Sequence, residues 1–285
     1  MEFSLVTTDH LVERLWFRDD DDFRVGMNGV AVTAHLMKVD ILAFILMSNH
    51  VHFVLGASQD QAREFINEYK RLYSAHLHRR YGLKEALRKN GTDVQRVWRS
   101  DESLERAIAY VQMNSVAANI CLHPSGYPWG TGNTFFKKAT LQGRKLGTMS
   151  RRAQIKNLKS NVLLSEDMVL ENGYIQPESF VQVRFVEDLF ITPSRFNYFL
   201  VNSSKAKKRL ETTSSLPAFQ DQLISAAVSD LCRSLYRQHS LDELNWEQQS
   251  EIVKQLKRRF SAEIHQLVRV TGIPYPEMAK MLDSL

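Results

Sequence analysis

The stretch ILMSNHVHFVL, residues 45–55, places His50 and His52 one residue apart in an otherwise apolar run. In a β-strand, residues i and i+2 point to the same face, so these imidazoles would lie side by side, about 7 Å apart at the backbone. Imidazole binds transition metals, and it accepts Mg or Mn when oxygen ligands complete the shell. The pair is therefore a candidate metal site, with Val51 and Phe53 facing the core on the opposite side.

The alternative for any such pair is a packing role, since the chain contains nine histidines. A second pair, His76 and His78 in AHLHRR, lies on a predicted helix, where positions i and i+2 diverge. We interpret these two as packing and surface residues, and His265 near the C-terminus likewise. The strand pair needs a chemical partner from elsewhere in the chain.

A partner is offered by AYVQMN, in which Tyr110 and Asn114 are four residues apart on a predicted helix and share one face. The amide oxygen of Asn114 could be a third metal ligand. The phenol of Tyr110 could attack a phosphodiester that the metal polarises, although a free phenol with a pKa near ~10 needs a general base or a nearby cation. Spacing alone leaves an alternative open, in which Tyr110 packs and Asn114 lies on the helix surface.

The elements that would position these residues follow from hydrophobic periodicity and end signals. The sequence predicts strands at about 3–8, 39–47, 50–55 and 94–98, and helices at about 21–39, 58–80 and 100–120. Gly26 and Gly29 weaken the first helix, Ser48 and Asn49 form a hairpin turn, and Ser100 is the predicted N-cap of the third helix. The order β-α-β-β-α-β-α predicts an α+β domain with one antiparallel sheet and helices packed against it.

Charge is mildly basic overall, with 37 Lys and Arg against 32 Asp and Glu, but its distribution is uneven. Residues 106–165 contain no Asp or Glu. Such a segment repels itself unless a polyanion neutralises it, which favours a nucleic-acid partner over a solvated linker. The basic residues that we predict to contact DNA are Arg106, Lys137, Lys138, Arg144, Lys145, Arg151 and Arg152.

We predict three regions: 1–133, the α+β domain; 134–200, a basic connector and mixed segment; and 217–285, a helical domain, preceded by a linker at 201–217. Residues 262–285 fit a helix-turn-helix around Gly272, which indicates either a DNA-reading unit or a small helical bundle. Two distant cysteines, no signal peptide and a longest apolar run of seven residues indicate a reduced, cytoplasmic protein without a membrane span.

The combination of LMSNHVHFVL with AIAYVQMNSVAANI some 55 residues later resembles the HUH single-tyrosine transposases, most closely the REP-associated branch (RAYT). TTDHLVERLWFRDDDDF, RLYSAHLHRRYG and GYPWGT extend the likeness over about residues 3–131. The sequence departs from many relatives at Gln112, where they carry His, and at Ser115, where they carry Pro.

The resemblance implies a ferredoxin-like fold in which His50, His52 and Asn114 bind Mg or Mn. Tyr110 would be the nucleophile, forming a 5′-phosphotyrosine with cleaved single-stranded DNA at hairpin-flanked sites, and strand transfer would reverse the step. Both monomers and homodimers are compatible with it. The alternative is a domesticated, non-catalytic relative that binds DNA, for example as a repressor.

Overall fold

The computed structural model describes residues 2–11, 15–84, 87, 89–137, 141–203, 221–260 and 262–283. The predicted linker at 201–217 lies almost wholly outside these residues, as does Lys138. Among the described residues, no helix combines the length and apolar character needed to cross a membrane.

A four-stranded antiparallel sheet forms the centre of the first region, as predicted. Its strands are β1 (Phe3–Thr8), β2 (Asp40–Met47), β3 (His50–Gly56) and β4 (Thr92–Val97), in the order β2-β3-β1-β4. All three pairings are antiparallel. The chain is therefore an α+β protein, and the strand that carries the histidines is flanked by β2 and β1.

Two long helices cover one face of this sheet. They are α1 (Asp20–Met37), with Asp19 as its N-cap, and α2 (Gln59–Tyr81), which begins with a capping box at Ser58 and Gln61. Capping satisfies backbone N–H groups that a helix start leaves without partners. The core beneath them includes Val51, Phe53 and Leu55 of β3.

The second face is covered by helices from two parts of the chain. They are α3 (Ser103–Gln112), the short α4 (Asn114–Ala117), α6 (Val183–Phe190) and α7 (Pro193–Val201). Apolar side chains of α3, α6 and α7 share a core with Val54 of β3 and Leu42 of β2. Both faces of β2 and β3 are thus shielded from water.

The predicted single helix at 100–120 is wrong in two respects. The helix begins at Ser103, because Glu102 occupies the N-cap position with φ 62° and no side-chain cap, and Ser100 is not the cap. The hydroxyl of Ser103 instead bonds the backbone of Trp98, 2.8 Å from both its N and its O. The helix is also interrupted at Met113, so that α3 and α4 are separate.

Residues 144–175, which belong to the predicted basic connector and mixed segment, form a helix and strands that pack on α1. They contain β5 (Arg144–Lys145), α5 (Arg151–Leu158), β6 (Val169–Glu171) and β7 (Tyr174–Ile175), and the three strands form a second small sheet. Asn28 of α1 donates to the carbonyls of Asn157 and Gly173 and accepts from the amide of Ile175. One buried carboxamide therefore joins α1 both to α5 and to the β6–β7 hairpin.

The C-terminal region is helical, as predicted. It comprises α8 (Asp221–Tyr236), α9 (Trp246–Phe260), α10 (Ile264–Thr271) and α11 (Tyr275–Asp283), which share one apolar core. Gly272 closes α10 with φ 76°, a left-handed conformation that glycine adopts without steric cost. The helices α10 and α11 lie on either side of this turn.

Gly26 and Gly29 of α1 differ in what surrounds them. A Cβ at Gly26 would overlap Cε1 of buried Phe17 and lie 3.1 Å from Cδ1 of Leu46, whereas one at Gly29 would lie 3.4 Å from Cε2 of Tyr69. Gly26 therefore permits the close approach of Phe17, and Gly29 has room for a methyl group.

We expect Gly26→Ala to lower the free energy of unfolding by roughly 1–3 kcal/mol, since overpacking outweighs the gain in helix propensity. Gly29→Ala, the matched control, should raise it by up to about 1 kcal/mol. Urea denaturation of both variants checks this, and equal stabilisation by the two would contradict the packing argument.

Candidate active site on the α3 face of the sheet

His50 and His52 lie side by side on the face of the sheet that α3 covers. Their ring centroids are 4.8 Å apart with an interplanar angle of 88°, and both residues are buried. Their neighbours Val51 and Phe53 point into the opposite core. The alternation of β3 thus gives the arrangement that the sequence predicts.

Hydrogen bonds to the two Nδ1 atoms orient the rings. The Nδ1 atom of His50 lies 2.9 Å from Oδ1 of Asn49, and that of His52 lies 3.0 Å from Oγ1 of Thr7. In the tautomer with the proton on Nδ1, each ring donates to an oxygen and keeps Nε2 as its basic nitrogen. Histidines that bind metals are oriented by such outer partners, so the pair fits a divalent cation bound through Nε2.

Tyr110 meets this pair from α3. Its ring is edge-on to that of His52, with centroids 5.6 Å apart. Tyr110 is half-buried because α3 packs its apolar side, including Ile108 and Val111, against the sheet. A phenol and two imidazoles from separate elements therefore converge.

The phenol is a poor nucleophile without help. Burial raises the pKa of Tyr110 above its ordinary value, and the negative charge of Asp93 raises it further. At neutral pH the hydroxyl is protonated, and a cation nearby or a base would be needed to release its proton.

Asp93 lies near the candidate site, although no pattern in the sequence indicates this. In the register of the sheet, Thr7 pairs with His52 on one side and with Asp93 on the other. The three side chains form one row across β3, β1 and β4. Asp93 is exposed and accepts from Nε2 of Gln95 at 2.6 Å. Only strand register brings this carboxylate to the site.

His10 is a second residue that sequence reasoning missed. Its exposed ring stacks on His50, with centroids 3.7 Å apart and an interplanar angle of 17°. It lies two residues after the end of β1, so that strand brings it to the histidine pair. Parallel stacking covers one face of His50.

Asn114 has a role that its spacing does not predict. Its Nδ2 donates to the carbonyl of Tyr110 at 2.9 Å and to that of Val111 at 3.3 Å. These carbonyls lie in the last turn of α3, where a helix end leaves acceptors to be satisfied. The buried carboxamide thus caps α3 at Tyr110, and its role as a third metal ligand stays a prediction.

The departure at Gln112 also has a structural explanation. Its buried side chain donates from Nε2 to the carbonyl and hydroxyl of Thr131, at 3.0 and 2.9 Å. Thr131 in turn bonds the backbone of Phe44 on β2. Gln112 therefore ties α3 to the loop that covers the outer edge of the sheet.

The two histidines alone do not form a complete site for Mg or Mn. Over the described ranges, no group of three or more His, Cys, Asp or Glu side chains is arranged to hold a metal ion. A pair of imidazoles needs further oxygen ligands to hold Mg or Mn. A DNA phosphate and the Asn114 amide have the right chemistry.

The predicted DNA-contacting residues are partly neutralised by acids from elsewhere in the chain. Arg106 pairs with Glu102, Lys137 with Glu178 and Lys145 with Asp167. Arg151 braces the loop after α5 by bonding the carbonyls of Asn161 and Val162. The exposed residues Arg144 and Arg152 lie on the surface of the segment. DNA contact by any of these residues stays a prediction.

Comparison with known proteins adds one structural likeness. No protein-family model and no curated protein matches the chain. A solved structure of a REP-associated tyrosine transposase bound to a REP hairpin is similar, with a TM-score of 0.37 and 13% identity. The likeness covers 46% of this chain and 77% of that one.

We expect Asp93→Asn to lower the pKa of Tyr110, because loss of the negative charge no longer disfavours the phenolate. The pKa should stay above the ordinary value, since burial is unchanged. NMR titration of 13Cζ-labelled tyrosine measures it, with Tyr110→Phe identifying the resonance. Asp101→Asn, at the other end of α3, serves as the control, and an unchanged pKa in Asp93→Asn would disprove the coupling.

Proposed function

We propose that the protein cleaves single-stranded DNA and transfers strands through a 5′-phosphotyrosine intermediate, as a metal-dependent, transposase-like enzyme. The observation that carries the proposal is the edge-on contact of Tyr110 with His52, beside His50 on the same face. This arrangement supports it because the nucleophile and the candidate metal ligands come from separate elements and still meet.

Tyr110 supplies the nucleophile of the cleavage step. Its phenolic oxygen would form a bond to the phosphorus while the bond from phosphorus to the 3′-oxygen breaks. The phenol would give up its proton to solvent, and the 3′-oxygen would take up a proton and leave as a free 3′-OH. The negative charge of Asp93 opposes loss of the phenol's proton, so a nearby cation is the group that would favour it. The phosphodiester energy stays in the phosphotyrosine bond, so a 3′-OH can reverse the step without ATP.

His50 and His52 would hold Mg²⁺ or Mn²⁺ through Nε2, and such an ion supplies Lewis-acid polarisation of the scissile phosphate. Thr7 and Asn49 would fix the two rings for that task. Substrate DNA carrying hairpins is the partner that we propose, with Arg144 and Arg152 as exposed cations available to its backbone.

A second candidate function is DNA binding without cleavage, as in a repressor. The helix–turn–helix order of α10 and α11 around Gly272 favours it. This function predicts salt-sensitive binding that survives loss of His50, His52 and Tyr110.

The test uses hairpin-bearing single-stranded oligonucleotides labelled at the 3′ end, with Mg²⁺ or Mn²⁺. A denaturation-resistant adduct should retain the 3′ label, because the 5′-phosphate stays on the protein. Tyr110→Phe should abolish the adduct, whereas Tyr198→Phe, an exposed tyrosine on α7, should leave it unchanged. His50→Ala and His52→Ala should each lower the yield by about 100-fold.

Two outcomes would overturn the assignment. An adduct that forms equally in Tyr110→Phe would show that another residue is the nucleophile. Tight binding with no cleavage under either metal would favour the repressor.

A further inference from the structure

Asp221, the first residue of α8, is a buried carboxylate shared by two parts of the chain. It accepts hydrogen bonds from Nε2 of Gln266 at 2.8 Å and from Nε of Arg269 at 3.2 Å, both on α10. It also accepts from Oγ of Ser48 at 2.8 Å. The first two contacts lie within the C-terminal helices, and the third reaches the turn between β2 and β3.

Ser48 is hydrogen-bonded through its backbone as well as through its side chain. Its carbonyl accepts from the backbone amides of Trp16 and Phe17 at 2.8 and 3.2 Å. The side chain of Gln222, next to Asp221, donates to the carbonyl of Phe17 at 3.3 Å. The turn and the segment beside it therefore contact the same end of α8.

The turn continues directly into the histidine pair. Asn49 follows Ser48, and its Oδ1 lies 2.9 Å from Nδ1 of His50. The backbone and side chain of Asn49 also bond Leu11, at 3.0 and 3.1 Å. An unbroken run of short contacts thus joins the C-terminal helices to a candidate metal ligand.

We infer that Asp221 is a positioning residue that fixes the imidazole of His50 through Ser48 and Asn49, so that the C-terminal helices are part of the site. The part concerning metal affinity rests on the proposed function. The part concerning the ring of His50 does not.

The physical argument is the cost of burial. A carboxylate removed from water must be paired and hydrogen-bonded, and Asp221 obtains this from Arg269, Gln266 and Ser48 together. If one of these three partners is removed, the carboxylate of Asp221 loses a hydrogen bond while it stays buried, which is energetically unfavourable. The hydroxyl of Ser48 is thereby held in one position, and with it the turn whose next side chain orients His50.

An alternative is that Asp221 only docks the C-terminal helices. In that case breaking its contact with Ser48 would change stability and leave the ring of His50 as it was. Two variants separate these cases. Ser48→Ala removes the contact and keeps the Asp221–Arg269 pair, so the helical region stays folded. Asp221→Asn changes the other partner of the same contact by removing its negative charge.

The experiment uses the full-length chain and has two measurements. Without metal, long-range 1H–15N spectra of the histidines should show faster exchange of the Nδ1 proton of His50 in both variants. With Mn²⁺ alone as the probe, titration followed by electron paramagnetic resonance should show affinity weakened by about 10-fold. The double variant should bind Mn²⁺ more weakly than wild type by no more than the larger single effect, since Ser48→Ala already removes the contact through which Asp221 would act on His50. Asp230→Asn, exposed on the same helix, is the matched control and should change neither readout.

The outcomes separate the inference from the proposed function. If Ser48→Ala and Asp221→Asn both leave the exchange of His50 unchanged, the inference is wrong, whatever the metal affinity. If wild type binds no Mn²⁺, the metal-dependent function fails, and the exchange of His50 still decides the positioning role.

Discussion

Burial of both faces of the central sheet is the constraint on which the site depends. β3 lies between two neighbouring strands, so its side chains alternate between two apolar cores. His50 and His52 occupy the α3 side. A buried ring nitrogen without a hydrogen-bond partner is costly, and Asn49 and Thr7 meet that cost for the Nδ1 atoms. The free-energy cost of burying an imidazole therefore favours the ring orientation in which Nδ1 is hydrogen-bonded. Nε2 is then the nitrogen that the candidate metal site would use.

The end of α3 shows how a helix terminus restrains Tyr110. Helical geometry stops at Met113, and the carboxamide of Asn114 bonds the carbonyl of Tyr110. This contact restrains the backbone at the tyrosine while Gln112 ties the same turn to the edge of the sheet. The negative charge of Asp93 raises the pKa of the phenol. Packing and charge together thus define the environment of Tyr110.

Charges in the acid-free segment find partners through tertiary structure. Glu102, Glu178 and Asp167 come from outside residues 106–165 and lie within ion-pair distance of basic residues in that segment. Exposed pairs of this kind contribute little stability and are screened by salt, so they can exchange for phosphate contacts. A basic stretch in sequence is therefore not equivalent to a basic surface.

The sequence by itself determined the four strands and the two long helices of the first region, the shared face of His50 and His52, and the helical character of the C-terminal region. These follow from local periodicity and from turn residues such as Gly272, which act over a few positions. Tertiary structure decided the rest. Cross-strand register brought Asp93 and Thr7 to the histidines, the α3 terminus turned Asn114 onto its own helix, and folding of the C-terminal region placed Asp221 against Ser48. The contacts of His52 with Thr7 and of Ser48 with Asp221 join residues 45 and 173 positions apart, and they depend on packing that no local pattern encodes.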